Sequence, residues 1–189
     1  MNLFAAFMKS YIYLLSLYIL LPVCASSQIY TGKSHEVKFF SDGPIEDIYA
    51  TNKSAQVIMN TAKNEIVIKV TIKGFDFDKE LMEEHFNEKY LESDKYPYAI
   101  FSGKVKDTID YKKEGVYNVT VVGKLTIHGV EKERSIQGML TSKNGEILIE
   151  SKFDIVLKDH NIIVPSVVAQ NVAETVEISL KSTLIEYKK

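Results

Sequence analysis

The chain has 189 residues, 46% hydrophobic and 25% charged, with a formal net charge of -2. That is enough apolar material for the core of one globular domain, and it excludes the low-hydrophobicity, high-charge composition of a disordered chain. Lys9 is the only charged side chain in residues 1–27, so the remainder is slightly more acidic than the whole. It carries no long basic tract, which excludes nucleic acid as a partner.

The N-terminus reads as an export signal. Lys9 supplies the positive start, residues 11–21 form an apolar or small-residue run, and Val23-Cys24-Ala25 fits the small-x-small cleavage pattern. Cleavage falls after Ala25, or after Ser27 to leave Gln28 first. The run is short for a membrane span, and no basic stop-transfer cluster follows it. Lipidation at Cys24 is the alternative, disfavoured by Val23 before it. Cys24 is the only cysteine. A chain cut beyond it has no disulfide, no thiolate nucleophile and no cysteine metal ligand. Residues 1–27 are therefore expected to be a signal peptide and 28–189 a single domain, periplasmic or secreted.

From residue 35 the pattern is mostly strand and turn. Residues 35–41 alternate, with Val37 and Phe39 on one face, and Asp42-Gly43-Pro44 marks a turn. Residues 45–49 are ambiguous. Residues 56–60 form a strand, and a short turn leads into 65–73. There Ile66, Ile68, Val70 and Ile72 alternate with Val67, Lys69 and Thr71, the period-2 pattern of a sheet with one buried face.

Residues 79–90 are the one amphipathic helix after the N-terminal segment. Asp78 is its expected N-cap, and Met82, Phe86 and Tyr90 recur every four residues with Leu81 and His85 beside them. Pro97 forces Tyr96 out of helical geometry. A strand follows over 98–106, with Phe101 and Val105 opposite Ile100. The longest alternating run is 116–127. Tyr117, Val119, Val121, Leu125 and Ile127 share a face, and Gly123 interrupts it where a long strand can bend. His128-Gly129 turns into 131–140, and Asn144-Gly145 is a strong hairpin signal. Residues 146–158 place Ile147, Ile149, Ser151, Phe153, Ile155 and Leu157 on one face. Residues 159–175 are irregular, with Pro165 inside the apolar stretch 162–168. The last strand, 176–187, turns Val176, Ile178 and Leu180 inward. About eight long antiparallel strands predict an all-β, up-and-down barrel with one inserted helix. A two-sheet sandwich is the runner-up.

Two stretches carry a family resemblance: Leu81-Met82-Glu83-Glu84-His85-Phe86-Asn87 followed by Glu92-Ser93-Asp94-Lys95-Tyr96-Pro97, and the hairpin Gly123-Lys124-Leu125-Thr126-Ile127-His128-Gly129. With them the chain resembles the YceI-like family of secreted bacterial proteins over roughly its whole length beyond the signal. The resemblance implies an extended lipocalin-like barrel that binds isoprenoid-type lipids. On that basis the inward rows become candidate cavity lining: Ile66, Ile68, Val70, Ile72, Met82, Phe86, Phe101, Tyr117, Val119, Val121, Gly123, Leu125, Ile149, Phe153, Ile155, Val176, Ile178 and Leu180. The helix and residues 159–175 are candidate lids. The implied partner is a long-chain isoprenoid or fatty-type lipid, with no cofactor and no metal. Protein partners and oligomeric state stay open, a homodimer included.

The residues themselves offer little catalytic chemistry. The histidines 35, 85, 128 and 160 lack the spacing of a helical zinc site, and no serine lies in G-x-S-x-G. The expected function is a periplasmic carrier rather than an enzyme. Two alternatives stand beside it. One is a small enzyme or stress-response protein using His128 or His85 with a nearby carboxylate. The other is an interaction module whose interior is simply filled.

Overall fold

The computed structural model describes residues 28–43, 46–164 and 173–188. The expected signal and its cleavage sites, Ile45, and the middle of the irregular segment with Pro165 lie outside the described residues.

Among the described residues ten strands form one sheet: β1 (Ile29–Ser41), β2 (Ile48–Asn52), β3 (Gln56–Asn60), β4 (Glu65–Thr71), β5 (Phe75–Phe77), β6 (Tyr98–Val105), β7 (Gly115–Ile127), β8 (Val130–Lys143), β9 (Glu146–Val156) and β10 (Thr175–Glu186). Eight of them run antiparallel around a ring in the order β1-β3-β4-β6-β7-β8-β9-β10, and β10 returns to β1 from Tyr30↔Glu186 to Phe40↔Glu177. That closing ladder excludes the sandwich. β2 and β5 extend the sheet outside the ring, because β1 outruns β3. Its first residues pair with β3 and its last with β2, which in turn carries β5.

Local sequence explains most of these elements. His128-Gly129 and Asn144-Gly145 both have two successive residues at positive φ (50° and 73°, 53° and 76°). That is the type I′ geometry whose twist matches antiparallel strands. β1 begins six residues before the alternation suggests. A register shift between Gly32 and Ser34 changes the phase there, so the period-2 signal breaks although pairing continues. β4 stops at Thr71, and Ile72–Gly74 forms a 3₁₀ turn that starts the crossing to β5.

The helix, α1, spans Glu80–His85 and continues as a π-helical turn, Phe86–Tyr90. Asp78 is not its cap. Lys79 takes the N-cap position with no side-chain capping bond, and its ammonium is paired with Glu46. The wider π turn keeps Phe86 and Tyr90 on the inward face four residues apart.

Chain direction assigns the two barrel ends. The lower end holds the loop 106–114. There Tyr111 donates to Asn64 Oδ1 (3.0 Å), Ser142 donates to the Tyr111 carbonyl (3.0 Å), and burial pushes the Tyr111 phenol up to about 12. The upper end holds α1, β2, β5 and the 3₁₀ turn Leu157–His160.

Candidate functional site

Between the two closed ends lies a cavity of about 150 Å³, lined from β1, β4, β6, β7, β8, β9 and β10 and roofed by Ile72, Phe75, Phe86, Leu91, Leu157 and Ile162. A single water needs only about 10–15 Å³ of such space, and a chamber walled by Ile, Val, Leu and Phe stays dry. A second chamber of about 120 Å³ lies under α1. It shares Phe39, Phe86, Leu91, Leu157 and Ile162 with the first, so only those side chains separate the two. Phe86 stands at this junction, with its ring 5.9, 5.5 and 4.9 Å from those of Phe39, Phe75 and Phe77. The under-helix chamber also has polar walls, His85 and Tyr90, and burial raises the Tyr90 phenol above its usual range.

The structure brings most of the expected lining together. Ile66, Ile68, Val70 and Ile72, then Phe86, Phe101, Val119, Val121 and Leu125, then Ile149, Phe153, Ile155, Val176, Ile178 and Leu180 all border the main cavity. Three do not. Met82 lines the chamber under the helix instead. Tyr117 sits low in the barrel, where its hydroxyl bonds the carbonyls of Asp110 and Lys113 (both 3.2 Å) and holds the lower loop. Gly123 lines neither chamber. A Cβ there would lie 2.2 Å from the Ser102 carbonyl oxygen and 2.5 Å from the Gly103 Cα, directly opposite on β6. The glycine permits close strand approach; it does not leave room for a ligand.

Lining residues outside the expected set include Val37, Phe39, Phe75, Leu91, Ala99, Ile100, Ile127, Ile136, Gln137, Gly138, Ser151, Leu157 and Ile162. Val37, Phe39 and Ile127 already lay in recognised apolar rows. Phe75 comes from the three-residue strand β5 and Leu91 from the end of the π-helical turn, and neither lies in a run long enough to show a period.

His128 meets the distance criterion for a catalytic pair. Its Nε2 lies 2.7 Å from Glu92 Oε2. Its Nδ1, however, lies 3.1 Å from the His160 carbonyl, and the Tyr96 ring packs edge-on against it at 4.6 Å. Both nitrogens are committed to protein oxygens, so neither faces a space where a substrate proton could sit. The arrangement ties the β7–β8 hairpin to the end of the helical segment. His160 is 1% exposed, and its Nδ1 lies 3.1 Å from the Val130 carbonyl. Burial holds its pKa below the usual value, against the pull of that bond. Among the described residues no group of three His, Cys, Asp or Glu side chains converges as a metal site would require.

A ring of eight antiparallel strands, capped by a helix and enclosing a dry apolar cavity, is a lipocalin-like barrel. The chain belongs to the YceI-like domain family, whose model matches residues 28–184. Among solved structures it resembles a polyisoprenoid binding domain from Saccharophagus degradans implicated in plant cell wall breakdown (12% identity, TM-score 0.72, 85% of this chain and 99% of that one). It also resembles Burkholderia cenocepacia BcnA (18%, 0.66, 79% and 95%) and the Campylobacter jejuni YCEI protein (17%, 0.53, 72% and 81%). At these identities the likeness is one of fold. No curated protein matches the chain.

Proposed function

We propose that this protein is a non-catalytic carrier that holds the apolar chain of a long isoprenoid-type lipid inside its barrel, and that it works in the periplasm after export. The observation that carries this reading is the interior cavity: a predominantly apolar lining across seven strands, with a second chamber beside it under the helix. An ordinary packed core would have collapsed onto that space, because each unfilled volume forfeits dispersion contacts. The likeness to a polyisoprenoid binding domain supports the choice of ligand class. Each buried methylene contributes roughly 0.8 kcal/mol. A chain burying about ten therefore gains roughly 8 kcal/mol before the entropy cost of association. No charged contact is needed. The test is titration with a fluorescently labelled prenyl alcohol. Saturable binding displaced by unlabelled prenyl alcohol is expected; absence of saturable binding would overturn the carrier reading.

A further inference from the structure

The barrel wall is not uniformly paired. β8 and β9 are joined only from Gly138↔Ser151 down to Lys143↔Glu146. Above that point residues 130–137 keep their ladder with β7, and residues 152–156 keep theirs with β10. Among the described residues no ladder pairing joins these two stretches to each other. At the last rung Ser151 donates to the Gln137 carbonyl (2.6 Å), and beyond it the Arg134 guanidinium crosses between the two stretches to donate to the Asp154 carbonyl. Arg134 has the inward phase of Ile136 and lies opposite Gly123, which leaves its side chain free to cross the gap.

The cavity reaches this seam. Gln137 faces outward by strand phase, yet it borders the inner cavity. Gln137, Gly138, Ser151 and Leu180 also line an open groove of about 570 Å³ on the barrel's outer face. That groove is polar. Its lysines are matched by carboxylates: Lys38 with Glu36, Lys152 with Glu177, and Lys181 with Glu150. A groove so neutralised suits an uncharged hydrogen-bonding head group better than a phosphate.

The helical cap, by contrast, is anchored by a buried aromatic ring. Phe86 is set among three aromatic rings, and Lys79–Glu46, Lys73–Asp94 and His128–Glu92 tie the segment along its length. We propose that the β8/β9 seam is a lateral portal, latched by Arg134, through which the chain of an apolar lipid with an uncharged polar head enters while the head rests in the outer groove. This rests on the carrier reading, and the experiment separates the two.

Uptake of the fluorescent prenyl alcohol is timed in the full chain carrying Cys24→Ser, in three forms. One is unlocked. One is cross-linked across the seam through Gln137→Cys and Lys152→Cys. One is cross-linked across the cap through Glu46→Cys and Lys79→Cys. The portal predicts that the seam lock abolishes uptake, that cleaving the cross-link restores it, and that the cap lock leaves the rate unchanged. Uptake by the seam-locked form, or a block by the cap lock, overturns the portal and leaves the carrier reading standing. No uptake in any form overturns both. Arg134→Met tests the latch without a cross-link. Uptake and release should both quicken about tenfold at unchanged affinity, as for loss of one charge-assisted bond. Unchanged rates would remove Arg134 from the account.

Discussion

Replacing Gly123 with alanine should damage the barrel far more than the same change at Gly103, although the two glycines face each other across one ladder. A Cβ on Gly123 would meet only backbone, at 2.2 Å from the Ser102 oxygen and 2.5 Å from the Gly103 Cα. Backbone cannot rotate away, so the strands must part by about 1 Å to reach ordinary contact, near 3.4 Å. Parting them weakens the flanking ladder bonds, worth about 1 kcal/mol each, on top of about 1–3 kcal/mol for overpacking. The expected cost is roughly 3–5 kcal/mol. At about 2–4 °C per kcal/mol for a domain of this size, Tm should fall by roughly 6–20 °C. A Cβ on Gly103 meets Phe101 Cζ, Val121 Cγ1 and the Val122 oxygen, all at 3.0 Å. Two of these are side-chain atoms that can shift, so about 1–2 kcal/mol is expected. Calorimetry on the two variants decides it. Equal melting temperatures, or a larger loss at Gly103, would refute the close-approach argument.

Val121→Lys places an ammonium against the apolar cavity and should cost several kcal/mol or unfold the domain. Thr120→Lys, its outward neighbour, should shift Tm little; similar melts would mean the inward face is misassigned. Phe86→Ala removes the ring at the junction of the two chambers and should cost about 3–5 kcal/mol. A calorimetric Tm within error of the parent would show that the cap is not part of the cooperative unit. Burial holds His35 and His160 below the usual histidine value of 6.5. Stability is therefore full above that value and is lost as the pH falls from it through the depressed folded values, because the unfolded chain takes up protons first. Urea midpoints measured from pH 7.5 to 4.5 should show that loss, and it should be smaller in His160→Gln.

The strand faces were legible because one side of each long strand is buried, which imposes the period of two on β4, β7, β9 and β10. The helix was legible from Met82, Phe86 and Tyr90. β2 and β5 were not: β5 has only three residues, and the inward row of β2 is Ile48, Ala50 and the polar Asn52, which shows no apolar period. Gly123 shows the limit at the site itself. A glycine in an apolar row signals a missing side chain, but only the neighbouring strand tells whether the space is open or already taken by backbone. The β8/β9 seam was hidden for a related reason. Residues 130–137 break the apolar alternation, with Lys132 and Arg134 on the inward row, but a charged run beside a hairpin turn reads equally well as a solvated strand end.

The central claim is that the cavity holds a lipid chain, and native mass spectrometry of protein purified from its natural host tests it most directly. The account predicts a mass increment that remains in gentle ionisation, disappears on denaturation, and yields an apolar isoprenoid-type lipid on extraction. Protein that is consistently at its bare mass, and that stays so after incubation with prenyl alcohol, would contradict it.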